Sequence, residues 1–107
     1  MRTIKSKQDF ERVFHQGRSY RHPLMRMIAC NTLDEGDPGR VAFVAAKRLG
    51  NAVFRNRCKR VLREAARRAS LPADGYDVIL FSTPQTHGST PEQVARALEK
   101  LLTRAGV

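Results

Sequence analysis

The stretch from Lys47 to Arg68, KRLGNAVFRNRCKRVLREAARR, does most to restrict how this chain folds. Cys58, Val61, Leu62, Ala65 and Ala69 recur at i, i+3, i+4, i+7 and i+11, which places them on one face of an α-helix. On that reading Arg55, Lys59, Arg60, Arg63 and Arg67 gather on the opposite side, with Arg57 and Arg68 at its margin. Such a helix must dock its narrow apolar face on a core and leave a cationic face in water. The stretch holds nine of the chain's 20 basic residues and a single acid, Glu64. A solvated surface helix ordinarily mixes signs and gains from Glu–Lys pairs four residues apart. Here the arginines repel one another until a polyanion arrives, and a nucleic acid is the polyanion such a face suits.

The rest of the chain supplies the core. Its 107 residues are 41% hydrophobic, which fits one domain spanning 1–107 and argues against a disordered basic tail. Ser6 reads as an N-cap with Asp9 at the capping-box position. The short helix that follows carries Phe10, Val13 and Phe14 on one face and stops at Gly17. Those two rings suit core packing and the wall of a base-stacking groove equally well. Arg18 to Pro23 reads as a basic linker, Leu24 to Cys30 as a strand, and Asp34 to Gly39 as a turn. Val41 to Ala46 is the clearest strand; Ala42, Val44 and Ala46 share one face, either a close-packed surface or the floor of a groove. Gly50-Asn51 allows a sharp change of direction before the basic helix, which should end near Ser70. Val78 to Phe81 is a continuous apolar run, as in a strand buried on both faces. Asp74 and Asp77 beside it read as turn and surface residues. Thr90, Pro91 and Gln93 form a helix start, followed by Val94, Ala97, Leu98, Leu101 and Leu102 on one face and a stop at Gly106. The expected order is α-β-β-α-β-α, an α+β chain with helices on one face of a small sheet, a two-layer sandwich.

A search for chemistry within the chain finds no catalytic set. His15, His22 and His87 are scattered without metal-ligand spacing, and no phosphate-cradling GxxxxGK[ST] loop is present. Acids are too sparse for a two-metal nuclease centre. Cys30 and Cys58 read as reduced core thiols of a cytoplasmic protein. No apolar run approaches the length of a membrane-spanning helix, so no membrane association is expected.

Lys47-Arg48-Leu49-Gly50-Asn51-Ala52-Val53, Arg55-Asn56-Arg57, Lys59-Arg60 and Arg63-Glu64 together match K-[KR]-x-G-N-A-V-x-R-N-R-x-K-R-x-x-R-E at every fixed position. This closely resembles the signature of the bacterial ribonuclease P protein subunit. Asp9-Phe10, Val13-Phe14 and Gly17 resemble the first helix of the same family. The resemblance implies a sandwich like the second domain of a small-subunit ribosomal protein, with a left-handed βαβ crossover, against the usual hand. It implies a subunit of a ribonucleoprotein that removes the 5′ leader of precursor tRNA, with Mg²⁺ used by the catalytic RNA and no cofactor or metal on the protein. The implied partners are that RNA and precursor tRNA, with no obligate protein partner. Carried over by position, Lys47, Arg48, Asn51, Arg55, Asn56, Arg57, Lys59, Arg60, Arg63 and Arg67 would meet the catalytic RNA. Phe10 and Phe14, with Val44 and Ala46, would line the leader cleft. Departures are the aliphatic Ile28 where an aromatic is frequent nearby, Phe81-Ser82 in place of Ala-Arg, and Ala45 and Ala46 in place of serines. The alternative is a ribosome-associated or general RNA-binding protein of the same fold, which would leave the intact motif unexplained.

Overall fold

Residues 1–107 are all described in the computed structural model, and β4 (Tyr76–Ser82) runs through its middle. Val78, Ile79 and Leu80 are fully buried, so successive side chains of β4 are covered on both faces of the sheet. The other strands are β1 (Arg18–His22), β2 (Met25–Asn31) and β3 (Arg40–Val44), in the order β1-β2-β4-β3. β1–β2 and β2–β4 are antiparallel, whereas β3 lies parallel to β4. The connection between those parallel strands contains a 3-10 turn (Lys47–Leu49) and α2 (Ala52–Arg68). α1 (Lys7–Gln16) precedes the sheet and α3 (Pro91–Ala105) follows it.

The two faces of the sheet carry different helices. Met25, Met27, Ala29, Val41, Val78 and Leu80 point to one side, where Val61, Leu62, Ala65 and Ala66 of α2 and Val94, Leu98, Leu101 and Leu102 of α3 complete the main core. Ile28, Ala42 and Ile79 point to the other side, beneath Val13 of α1. The expectation of helices on one face is therefore corrected: α1 covers the face opposite to α2 and α3. The expected basic linker is also corrected, because Arg18–His22 is a strand in register with Met25–Ala29. The order of elements along the chain gains one strand and becomes α-β-β-β-α-β-α.

A buried ion network holds α1 on its face. Asp77 is not a surface residue: its side chain is 1% exposed and pairs with Arg12 of α1 and, at 3.4 Å, with Arg40 of β3. Asp77 also accepts from the backbone N–H of Arg40 at 3.0 Å. Asp9 caps nothing with its carboxylate. Its N–H donates to Ser6, but the carboxylate accepts from Arg40 at 2.9 Å. Hydrogen bonding to Asp9 raises the Arg40 pKa above its ordinary value, with Asp77 adding to it against the cost of burial. At the other end of α1, Gly17 is obligatory: a Cβ there would lie 2.5 Å from the Val13 carbonyl and 2.6 Å from Ile28.

Candidate nucleic-acid interface

α2 begins where Asn51 accepts a hydrogen bond from the Phe54 N–H at 2.9 Å, a side-chain cap that fixes the helix start immediately after Gly50. The helix thus starts two residues before Phe54, and Ala52 and Val53 belong to its first turn. Asn51 keeps its amide NH₂ free of protein partners, but its oxygen is committed to the cap. Cys58, Val61, Leu62, Ala65 and Ala66 form the docked face, with Ala69 half-buried beyond the last helical residue, Arg68.

The cationic residues of α2 divide into two groups. Arg57, Arg60, Arg63, Arg67 and Arg68 are exposed, as is the neutral Asn56 among them, while Arg55 and Lys59 are half-buried. Arg55 lies three residues before Cys58, about 60° from it around the helix, so it stands at the edge of the docked face and not on the solvent side. Its Nε is buried without a hydrogen bond. Arg57, Arg60, Arg63, Glu64 and Arg67 line an open groove of about 420 Å³ together with Val61 and Pro91. Arg67 donates to Glu64 at 3.1 Å, and Arg68 pairs with Glu64 and Glu92. Arg57, Arg60 and Arg63 have no carboxylate partner within the chain. Arg63 instead sits over the Phe43 ring, 5.3 Å from its centroid. Lys47 and Arg48 are exposed on the 3-10 turn that leads into the helix. The turn and the helix therefore offer unpaired cations to a polyanion, and guanidinium forks suit its phosphates.

A second surface lies on the α1 side of the sheet. Phe10 and Phe14 stack with ring centroids 6.3 Å apart, and Phe14 meets Phe81 edge-on at 6.2 Å. Phe14 is 41% exposed although it belongs to this aromatic cluster, so it is a wall and not core filling. Val44 lies half-buried beside Phe81 on the floor, as their pairing requires. Ala46 is not part of that floor by strand pairing. β3 ends at Val44, earlier than expected, and Ala46 opens the 3-10 turn, where its carbonyl accepts from the Leu49 N–H. Sequence reasoning missed Phe81 and Arg26 as cleft residues; Arg26 lies 4.9 Å from the Phe81 centroid. Their shared face was legible only once β2 and β4 were known to pair. Ile28 is 2% exposed beneath α1, so it offers no surface to a ligand.

The three histidines stay apart. His22 accepts from the Leu24 N–H at 3.1 Å, His15 packs edge-on against Phe14, and His87 stacks on Phe54 at 4.1 Å. No three His, Cys, Asp or Glu side chains are grouped so as to hold a metal ion. No helix is long and apolar enough to cross a membrane.

A mixed sheet with three unpaired helical arginines on one face and a part-exposed aromatic cluster on the other defines a small RNA-binding protein of the α+β class. The chain belongs to the ribonuclease P protein family, whose profile, described as Ribonuclease P, matches residues 1–106. It is similar to the ribonuclease P protein component of Gluconacetobacter diazotrophicus, with 36% identity over 106 residues covering 97% of this chain and 90% of the relative. The component from Symbiobacterium thermophilum is 35% identical over 107 residues, covering 97% and 90%. Among solved structures, the RNase P protein of Staphylococcus aureus superposes with a TM-score of 0.80 at 28% identity, covering 98% of this chain and 95% of that one. The Thermotoga maritima protein, at 24% identity and TM-score 0.78, shares the fold. Membership makes the chain the non-catalytic protein subunit of the ribonucleoprotein that removes tRNA 5′ leaders.

Proposed function

We propose that the two surfaces divide the work of that subunit: the α2 side holds the catalytic RNA, and the α1 cleft holds the 5′ leader of precursor tRNA. In this reading the whole chain, 1–107, acts as one RNA-binding unit. The gathering of Arg57, Arg60 and Arg63 on α2, and of Phe10, Phe14 and Phe81 on the opposite face of the sheet, is the observation that carries it. Lys47, Arg48, Arg57, Arg60 and Arg63 meet phosphates of the structured RNA, with Asn51 and Asn56 donating amide hydrogens. Arg55, Lys59 and Arg67 have secondary parts, the first two from the flank of the helix and the third after exchanging Glu64 for phosphate. Phe10 and Phe14 stack on leader bases above Val44, with Ala46 at the cleft's end. A leader is single-stranded, so its bases are free to stack, and stacking on aromatic faces tolerates any sequence.

Mg²⁺ belongs, in this reading, to the RNA subunit, whose phosphates supply hard oxygen ligands. The protein contributes charge and position. Its net charge of +10 screens repulsion between two RNAs, so less Mg²⁺ is needed to bring them together. Mature tRNA lacks the leader and forfeits the cleft contacts, which favours precursor binding over product. Because precursor tRNA is the substrate, the protein works in the cytoplasm.

Precursor-tRNA cleavage at low Mg²⁺ tests the assignment, with protein alone, the cognate catalytic RNA alone, and both together. Cleavage at the mature 5′ end only in the combined reaction is expected. Cleavage by the protein alone would reveal a catalytic site in this chain, and no stimulation of the RNA would favour a general RNA-binding role.

A further inference from the structure

Beside Phe81, the floor of the aromatic cleft carries a guanidinium. Phe81 pairs with Val44 on one side and with Arg26 on the other, and Arg26 pairs with Arg21. Directly paired residues share a face. A row Val44–Phe81–Arg26–Arg21 therefore crosses all four strands, apolar at the β3 end and cationic at the β1 end. Arg26 is not extended into solvent. Its Cζ stands 4.9 Å from the Phe81 centroid, and its Nε donates to the Ser19 hydroxyl at 3.0 Å. The ring and the hydroxyl hold the guanidinium from two sides. Neither terminal nitrogen donates to any protein acceptor, pairs with a carboxylate, or is buried without a partner. Phe14 closes on the same Phe81 ring from the helix side.

We propose that Arg26, backed by Phe81 and anchored by Ser19, is a cationic stacking platform for one nucleotide of a single-stranded RNA. The base lies on the guanidinium plane, and the terminal N–H groups reach the adjoining phosphate, with Arg21 next along the same row. The inference rests on the reading that the cleft receives the leader, and it names the group that continues the aromatic surface toward β1. A guanidinium suits this place better than an ammonium because it is planar, weakly hydrated and able to stack while its edge donates. Stacking makes the platform indifferent to which base it meets.

The test uses the holoenzyme reconstituted with the cognate catalytic RNA. Binding is measured for precursors whose leaders lengthen one nucleotide at a time, for mature tRNA, and for leaders with one abasic position moved along the chain. Arg26→Ala and Arg26→Lys should each weaken binding of long-leader precursors about tenfold. Mature tRNA, short leaders and catalytic-RNA affinity should be unchanged. Arg26→Ala should also lower the log-log salt slope by about 0.7, which Arg26→Lys retains. One abasic position should cost the wild type about the same tenfold and cost Arg26→Ala nothing. Full rescue by lysine would overturn the platform and leave only a charge. Equal loss for precursor and mature tRNA would overturn it too, as damage to assembly. A wild-type holoenzyme that gains nothing from any leader would instead refute the cleft assignment itself, and the platform with it.

Discussion

Cys58 sits at the centre of the face by which α2 docks, fully buried beneath the helix axis. Burial pushes its thiol pKa up, and the neighbouring Ser82 hydroxyl and the charge of Arg57 offset only part of the rise. A folded-state pKa above the unfolded one means that the protonated thiol is favoured by folding. That contribution is complete below the free thiol's value of about 8.5 and is lost as pH rises through the folded value. At neutral pH a thiol reagent should therefore label half-buried Cys30 first, and Cys58 only at the rate of global unfolding. Mass spectrometry of partly labelled protein checks this, and equal labelling of the two in native protein would mean that α2 is not docked as described. The spacing of Cys58, Val61, Leu62 and Ala65 made this face legible, because a helix period converts directly into position. The same period does not put Arg55 on the opposite side: it falls about 60° from Cys58, on the flank, where its Nε is buried. Arg26 and Phe81 are 55 positions apart in the chain, and no local pattern predicts that β2 and β4 bring them into contact.

α1 is held to the sheet by charge as much as by apolar contact. Only Val13 of that helix is fully buried, so the Arg12–Asp77–Arg40–Asp9 network has a large share in fixing its position. Asp77→Ala would leave two guanidinium groups beside one another with one fewer partner. Removing one member of a buried ion pair costs about 3–5 kcal/mol, and the lower end applies here because Arg12 and Arg40 retain some solvent contact. Urea denaturation should show a loss of about 3 kcal/mol with little change in slope. A loss below about 0.5 kcal/mol would mean that α1 docks through its apolar side chains alone. This network was invisible in the sequence, since Asp77 at the start of an apolar run looks like an ordinary turn residue. β1 escaped for a different reason. Its five residues, RSYRH, contain one aromatic and no apolar alternation, and the basic side chains that hide the pattern also protect an open sheet edge. The opposite edge needs less protection, because Ile4 and Val41 join the N-terminal segment to β3 by backbone hydrogen bonds. The second layer of helix was legible in principle. Val78 to Phe81 reads as buried on both sides, and a strand buried on both sides in a small sheet demands cover on each face.

Across the whole molecule the sheet acts as a spacer between the two proposed RNA surfaces. Adjacent layers of secondary structure pack about 10 Å apart, so α1 and α2 stand roughly 20 Å from one another through the sheet. At physiological ionic strength the screening length is about 8 Å, which makes each surface nearly blind to the other's charge. Arg57 on α2 and Phe14 on α1 share no hydrogen-bond, ion-pair or ring partner. Arg57→Ala should therefore weaken catalytic-RNA binding and lower its log-log salt slope by about 0.7–0.9, while the preference for precursor over mature tRNA stays the same. Phe14→Ala should reduce that preference by roughly 1–3 kcal/mol and leave catalytic-RNA affinity and its salt slope intact. In the double variant the two losses should add to within about 0.5 kcal/mol, as expected for sites beyond 10 Å with no common neighbour. Fluorescence titration of assembly and of precursor binding, each across a salt series, measures all four corners of the cycle. An interaction energy above about 1 kcal/mol would mean that one RNA wraps both faces, because only a shared ligand can couple two sites that the sheet separates and the solvent screens.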